Sequence, residues 1–117
     1  QVECETSYQE HNRTADTVTV EQYLFHWIRW NNRVYPEHPE RGPVEFIDSC
    51  SNTAVYLVRH TPEDKQVFVT SREASLMAIA VIDYCRQGSR AKGRAWDPKR
   101  RFTIEVGFGG ESKKCRH

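Results

Sequence analysis

The chain of 117 residues is 38% apolar and 28% charged, a mixture that supports a packed core and argues against a disordered polyelectrolyte. At this length it forms one domain, burying about two thirds of the surface its unfolded form exposes, and it holds no apolar run of about 18 residues that would span a membrane. The formal net charge of +1 conceals an uneven layout, with acids early in the chain and bases gathered late.

In chain order, residues 2–8 (VECETSY) alternate loosely and carry β-branched and aromatic side chains, so they predict a first strand holding Cys4. A polar loop follows, containing the glycosylation acceptor Asn12-Arg13-Thr14. Thr19-Val20-Glu21-Gln22 then supplies a capping box, with Val18 placed to staple onto Tyr23. The helix it starts ends at Asn31-Asn32. Val20, Leu24, Trp27 and Asn31 share one face, flanked by Tyr23, Ile28 and Trp30, and its large aromatics are expected in the core.

Residues 34–43 hold three prolines and a glycine, which predicts a surface loop. Tyr35 within it is an aromatic of the kind that anchors an interface, and Val44-Glu45-Phe46-Ile47 adds a short strand or pins the loop. Residues 53–60 (TAVYLVRH) and 65–70 (KQVFVT) read as strands, and Thr61-Pro62-Glu63-Asp64 as the turn of an antiparallel hairpin. Thr70 and Glu73 open a second helix over residues 70–88 with a further capping box. Its apolar side chains lie nearly all round it, which implies cover on several sides.

Residues 86–101 carry Arg86, Arg90, Lys92, Arg94, Lys99, Arg100 and Arg101 against the single acid Asp97, with Trp96 in their midst. After this basic loop, Phe102, Ile104, Val106 and Phe108 alternate with Thr103 and Glu105, the pattern of a half-buried strand ended by Gly109-Gly110. The order strand, helix, strand, strand, helix, strand predicts an α+β fold: a βαββαβ two-layer sandwich whose four-stranded antiparallel sheet is packed by two helices.

Four cysteines, Cys4, Cys50, Cys85 and Cys115, are spread along the chain without a C-x-x-C pair or finger-like histidine spacing. Two disulfides are therefore expected, and neither a metal site nor a cofactor. Disulfides point to an oxidising compartment, and a start at Gln1 is what a processed secreted protein presents. In a ferredoxin-like sandwich the outer chain segments are neighbours, which pairs Cys4 with Cys115 and leaves Cys50 for Cys85, with Cys4–Cys50 as the rival. The second pair is awkward, because that layout puts Cys50 and Cys85 at opposite ends. Either the long loop carries Cys50 across, or the second strand starts later, or the topology is a variant.

Cys4 near the start, the stretches TAVYLVRH and KQVFVTS, the helix REASLMAIAVIDYC and the strand FTIEVGFGG followed by Cys115 together resemble the killer-toxin-like group of small secreted fungal proteins and effectors. The resemblance implies a toxin or effector directed at a host or competitor, delivered outside the cell or into host tissue, with no enzyme activity required.

Three function classes follow. The first is a non-enzymatic effector that binds a host protein or anionic surface, with Tyr35 as a loop contact. The second is an RNA- or polyanion-binding protein using Arg90, Lys92, Arg94, Trp96, Lys99, Arg100 and Arg101, in which cations hold phosphates and Trp96 stacks on a base. The third is a ribonuclease-like site assembled from a histidine among His11, His26, His38, His60 and His117, Glu105 and the basic loop. No spacing selects its members, and no catalytic residue is assigned.

Overall fold

The computed structural model describes residues 1–5, 15–16, 24–60, 67–88, 90–108 and 115, and of residues 15, 16, 24 and 90 the backbone alone. The elements are β1 (Val2–Cys4), β2 (Ala15–Asp16), α1 (Leu24–Trp30), β3 (Val34–Tyr35), a 3-10 turn (Pro39–Arg41), β4 (Val44–Cys50), β5 (Thr53–Arg59), β6 (Val69–Thr70), α2 (Ser71–Cys85), β7 (Arg90–Ala91), β8 (Gly93–Trp96) and β9 (Phe102–Phe108). The α+β class holds, with two disulfides and, among the described residues, two helices. The main sheet, however, has five strands in the order β1-β8-β9-β5-β4, all antiparallel, where four were expected.

Two strands outside the expected four, β4 and β8, join the sheet, while Val69–Thr70 pairs elsewhere; β8 lies inside the segment expected as a basic loop. Its inward positions are Gly93 and Ala95, the latter opposite Ile104 of β9. Small inward residues let α2 lie close to the sheet and leave no hydrophobic alternation to read. The second correction concerns β5, which pairs with β4 and β9 rather than with residues 65–70. The β4–β5 hairpin closes through Ser51 (φ 48°) and Asn52 (φ 67°). Both residues are left-handed, as the tight turn that matches strand twist requires. Val69–Thr70 instead pairs with Val34–Tyr35, and the Ser71 amide donates to the Arg33 carbonyl at 2.8 Å. The Asn12 acceptor, the capping box at residues 19–22 and the turn at residues 61–64 lie outside the described residues.

Helix α2 begins as its sequence predicts. The Thr70 hydroxyl accepts from the Glu73 amide at 3.1 Å, and the Glu73 carboxylate accepts from the Thr70 amide at 3.4 Å, so two first-turn donors are satisfied reciprocally. Its buried stripe is Ser71, Ala74, Ser75, Ala78, Val81, Ile82 and Cys85. Leu76 (52% exposed) and Tyr84 (78%) face outward, so the helix is covered on one side and not all round. Helix α1 packs on α2, where the Ser75 hydroxyl donates to the Phe25 carbonyl at 3.0 Å. This contact sets the rotation of α1: Phe25 and Ile28 enter the core, and Trp27 (54%) and Trp30 (58%), expected there, are exposed.

The disulfides are Cys4–Cys85 and Cys50–Cys115, with Cα separations of 5.2 and 5.0 Å, and neither expected pairing is seen. The expectation that the first and last strands are neighbours fails, because β8 stands between β1 and β9. The rival Cys4–Cys50 fails because β1 and β4 are opposite edges of the sheet, four strand spacings or about 19 Å apart. Cys4 is in register with Gly93, and there it meets the last residue of α2. Toward the other edge Phe108 is in register with Thr53, and Thr53 with Cys50. The end of β9 is thus level with Cys50 across the intervening β5, and beyond it the Cys115 amide donates to the Ser51 hydroxyl at 3.1 Å.

Candidate functional site

Helix α2 lies on one face of the sheet, and the side chains considered next are those of the other. Residues two apart on each strand share a face, and the register places Glu3, Arg94, Glu105, Tyr56 and Phe46 in one row across all five strands. A neighbouring row holds Trp96, Thr103, Val58 and Val44. Beside the first row is a hollow of about 440 Å³, walled by Glu3, Lys92, Arg94, Glu105 and Tyr56. Its floor is open because Gly107 brings no side chain, and the Lys92 stem runs 3.8 Å from where a Cβ would stand.

Glu105 is at the centre. Arg94 is its cross-strand neighbour yet pairs with Glu3 at 3.7 Å, and Arg100 reaches the same carboxylate at 3.7 Å. Glu105 accepts from the Thr103 hydroxyl at 3.1 Å, and that hydroxyl lies 3.0 Å from His60 Nε2. Among the described residues Glu105 has no ion-pair partner. Thr103 is fully buried. Its one proton goes to Glu105, so toward His60 it is an acceptor, and Nε2 carries the proton. Nδ1 is then the ring nitrogen left for other work.

The basic segment is thus only partly a surface. Lys92, Arg94, Trp96 and Arg100 meet on the face away from α2, and Lys99 is exposed in the β8–β9 turn. Arg90 contributes to β7. Arg101 is turned inward, its Nε donating to Asp97 Oδ2 at 2.9 Å and its amide to the same oxygen at 3.3 Å. Burial pushes the Asp97 carboxyl up, but the hydrogen bonds and charge of Arg101, with the Lys99 amide, outweigh it and hold the group below its ordinary value. Trp96 does not offer a free ring. His60 stacks on it at 4.5 Å, and the Arg100 guanidinium lies 4.2 Å from its centroid.

Tyr35, expected as a loop contact, is 1% exposed and anchors the core. Its hydroxyl accepts from Asn31 Nδ2 at 2.9 Å. Burial raises its pKa, against the lowering effect of that hydrogen bond, and so keeps it neutral. The proline loop folds back through Glu45, whose carboxylate accepts from the Glu37 and His38 amides at 2.7 Å each. Of the histidines considered, His26 and His38 are remote from Glu105 in the fold, and His11 and His117 lie outside the described residues. Among the described residues no cluster of His, Cys, Asp and Glu has the makings of a metal site, and no helix is long and apolar enough to cross a membrane.

Sequence reasoning did not find Glu3, Tyr56 or the buried Thr103 as parts of a site. The available signal is the shared parity of 92/94/96, 103/105/107 and 56/58/60, which acquires meaning only once the strands are paired. No protein-family model, curated protein or solved structure matches the chain.

Proposed function

We propose that the protein is a secreted binding protein of the effector or toxin-like kind, which receives anionic groups of a host or competitor molecule on the face of its sheet away from α2. The observation that carries this reading is the sharing of Glu3 by Arg94 and Arg100. One carboxylate holds two guanidinium groups on a surface where all three side chains are about half exposed, and such pairs are worth only about 0–1 kcal/mol each. A phosphate or sulfate can take the place of Glu3 at small cost, joined by Lys92 from across the hollow. Two disulfides support a working place in an oxidising compartment. This reading asks only for binding.

The test is equilibrium binding to a fluorescent heparin fragment and to single-stranded RNA. Affinity is expected to fall roughly tenfold or more between about 50 and 200 mM salt, and to weaken in Arg94→Ala and Lys92→Ala. Absence of binding to either probe at low salt, or binding indifferent to salt, overturns the proposal.

A further inference from the structure

We propose that Glu105 and His60 act as an acid–base pair that cleaves single-stranded RNA, with Arg94 and Lys92 holding the scissile phosphate; this rests on the anion-binding reading of the same face. Three observations carry it. First, Glu105 and His60 are fixed relative to each other by two hydrogen bonds through Thr103, which ties a carboxylate and an imidazole together across neighbouring strands. Second, Glu105 opens onto the hollow that Arg94 and Lys92 wall, so the proton acceptor and the cations converge where a phosphate would sit. Third, the hydroxyl between the two groups is no nucleophile: Thr103 is buried and its proton is engaged.

A site with base, acid and cations but no side-chain nucleophile takes its attacking oxygen from water or from a substrate that brings its own. RNA does so, because its 2'-hydroxyl adjoins the phosphate, whereas DNA lacks it. A single strand is also free to swing that oxygen into line with the bond to be broken, and Tyr56 beside Glu105 provides a surface for a neighbouring base.

In the step, the Glu105 carboxylate takes the 2'-hydroxyl proton as the 2'-oxygen forms a bond to phosphorus. The bond from phosphorus to the 5'-oxygen breaks, and that oxygen takes a proton from Nδ1 of the His60 imidazolium. Arg94 and Lys92 stabilise the extra negative charge on the phosphoryl oxygens as it develops. The products are a 2',3'-cyclic phosphate and a free 5'-hydroxyl. Glu105 and His60 are catalytic residues in this scheme, and Thr103 positions both.

The experiment uses the full chain, disulfides intact, at substoichiometric concentration with a labelled single-stranded RNA and the all-deoxy strand of the same sequence, binding and cleavage being read separately. The expected result is that both strands bind, RNA alone is cut, and mass spectrometry finds 2',3'-cyclic ends. Glu105→Gln and His60→Ala lower the cleavage rate of the bound RNA by about 100-fold or more. Thr103→Val lowers the rate and alters its pH profile, and Thr103→Ser restores both; near-UV circular dichroism checks the fold of each variant. RNA bound with normal salt dependence but left intact overturns the cleavage proposal and leaves the binding reading standing. Cleavage that survives Glu105→Gln also overturns it. Failure to bind either strand overturns both.

Discussion

Gly93 lies against Cys85 so closely that a Cβ on it would stand 2.8 Å from the Cys85 sulfur, and also 2.6 Å from the Glu3 carbonyl oxygen. This is the point where β1, β8 and the end of α2 converge, and only a residue without a side chain lets the three meet. Gly93→Ala is expected to cost about 1–3 kcal/mol, since backbone must shift to admit the methyl group. Gly107→Ala is the contrast: its Cβ would meet the Lys92 stem at 3.8 Å, an ordinary contact, and stability should stay within about 0.5 kcal/mol. Urea denaturation of both variants decides, and equal midpoints would contradict the tight convergence.

The disulfides give the second prediction. Cys4–Cys85 spans 81 residues and Cys50–Cys115 spans 65, and in the chain-entropy account each is worth about 4–5 kcal/mol. They tie opposite edges of the sheet to different partners, one to α2 and the other to the tail. Peptide mapping without reductant should recover cross-linked peptides joining Cys4 to Cys85 and Cys50 to Cys115. A Cys4–Cys50 peptide would refute the strand order, because β1 and β4 are opposite edges of the sheet, and a Cys4–Cys115 peptide would refute the pairing. Reduction should lower the urea midpoint.

Asp97 supplies a pH dependence. Its folded-state pKa is depressed because the Arg101 hydrogen bonds and charge overcome the effect of burial. A depressed carboxyl contributes stability that is fully present above its unfolded value of about 3.9 and is lost as pH falls through the folded value. Asp97→Asn should therefore be less stable than the parent at neutral pH, and the gap should narrow below about pH 4. Denaturation midpoints followed into acid test this; a gap that stays constant to about pH 2.5 would remove Asp97 as its source.

Elements whose signals are local were legible in the sequence. Thr70 and Glu73 announce the start of α2, Asn31-Asn32 marks the end of α1, and Phe102, Ile104 and Val106 show by alternation which way β9 faces. What was hidden depends on partners. Strand β8 turns Gly93 and Ala95 inward, so only its charged side was visible and it passed for a loop. The β4–β5 turn is Ser51-Asn52 in place of the commoner Asn-Gly, so the hairpin went to the wrong neighbour. Tyr35 follows α1 in a proline-rich stretch that looks exposed, and β6 and Asn31 draw it into the core. The candidate site was the least legible part: Glu3, Tyr56, Arg94 and Glu105 are brought into one row by strand order, which no spacing along the chain encodes.

Glu3 is the residue whose removal should strengthen function. It sits on edge strand β1 and occupies both Arg94 and Arg100, and the latter also donates to the Gln1 side chain at 2.8 Å. An anionic ligand must compete with it. Glu3→Gln keeps the size of the side chain and withdraws the charge, so stability should change by less than about 1 kcal/mol, while two guanidinium groups are released to the ligand. At low salt the affinity for single-stranded RNA or heparin should rise several-fold, by about 1 kcal/mol, and the gain should fade as salt screens the exposed charges. Titrations of Glu3→Gln and the parent at two salt concentrations provide the check. Unchanged or weaker binding at low salt would mean that Glu3 does not compete for these arginines and that the anion docks elsewhere.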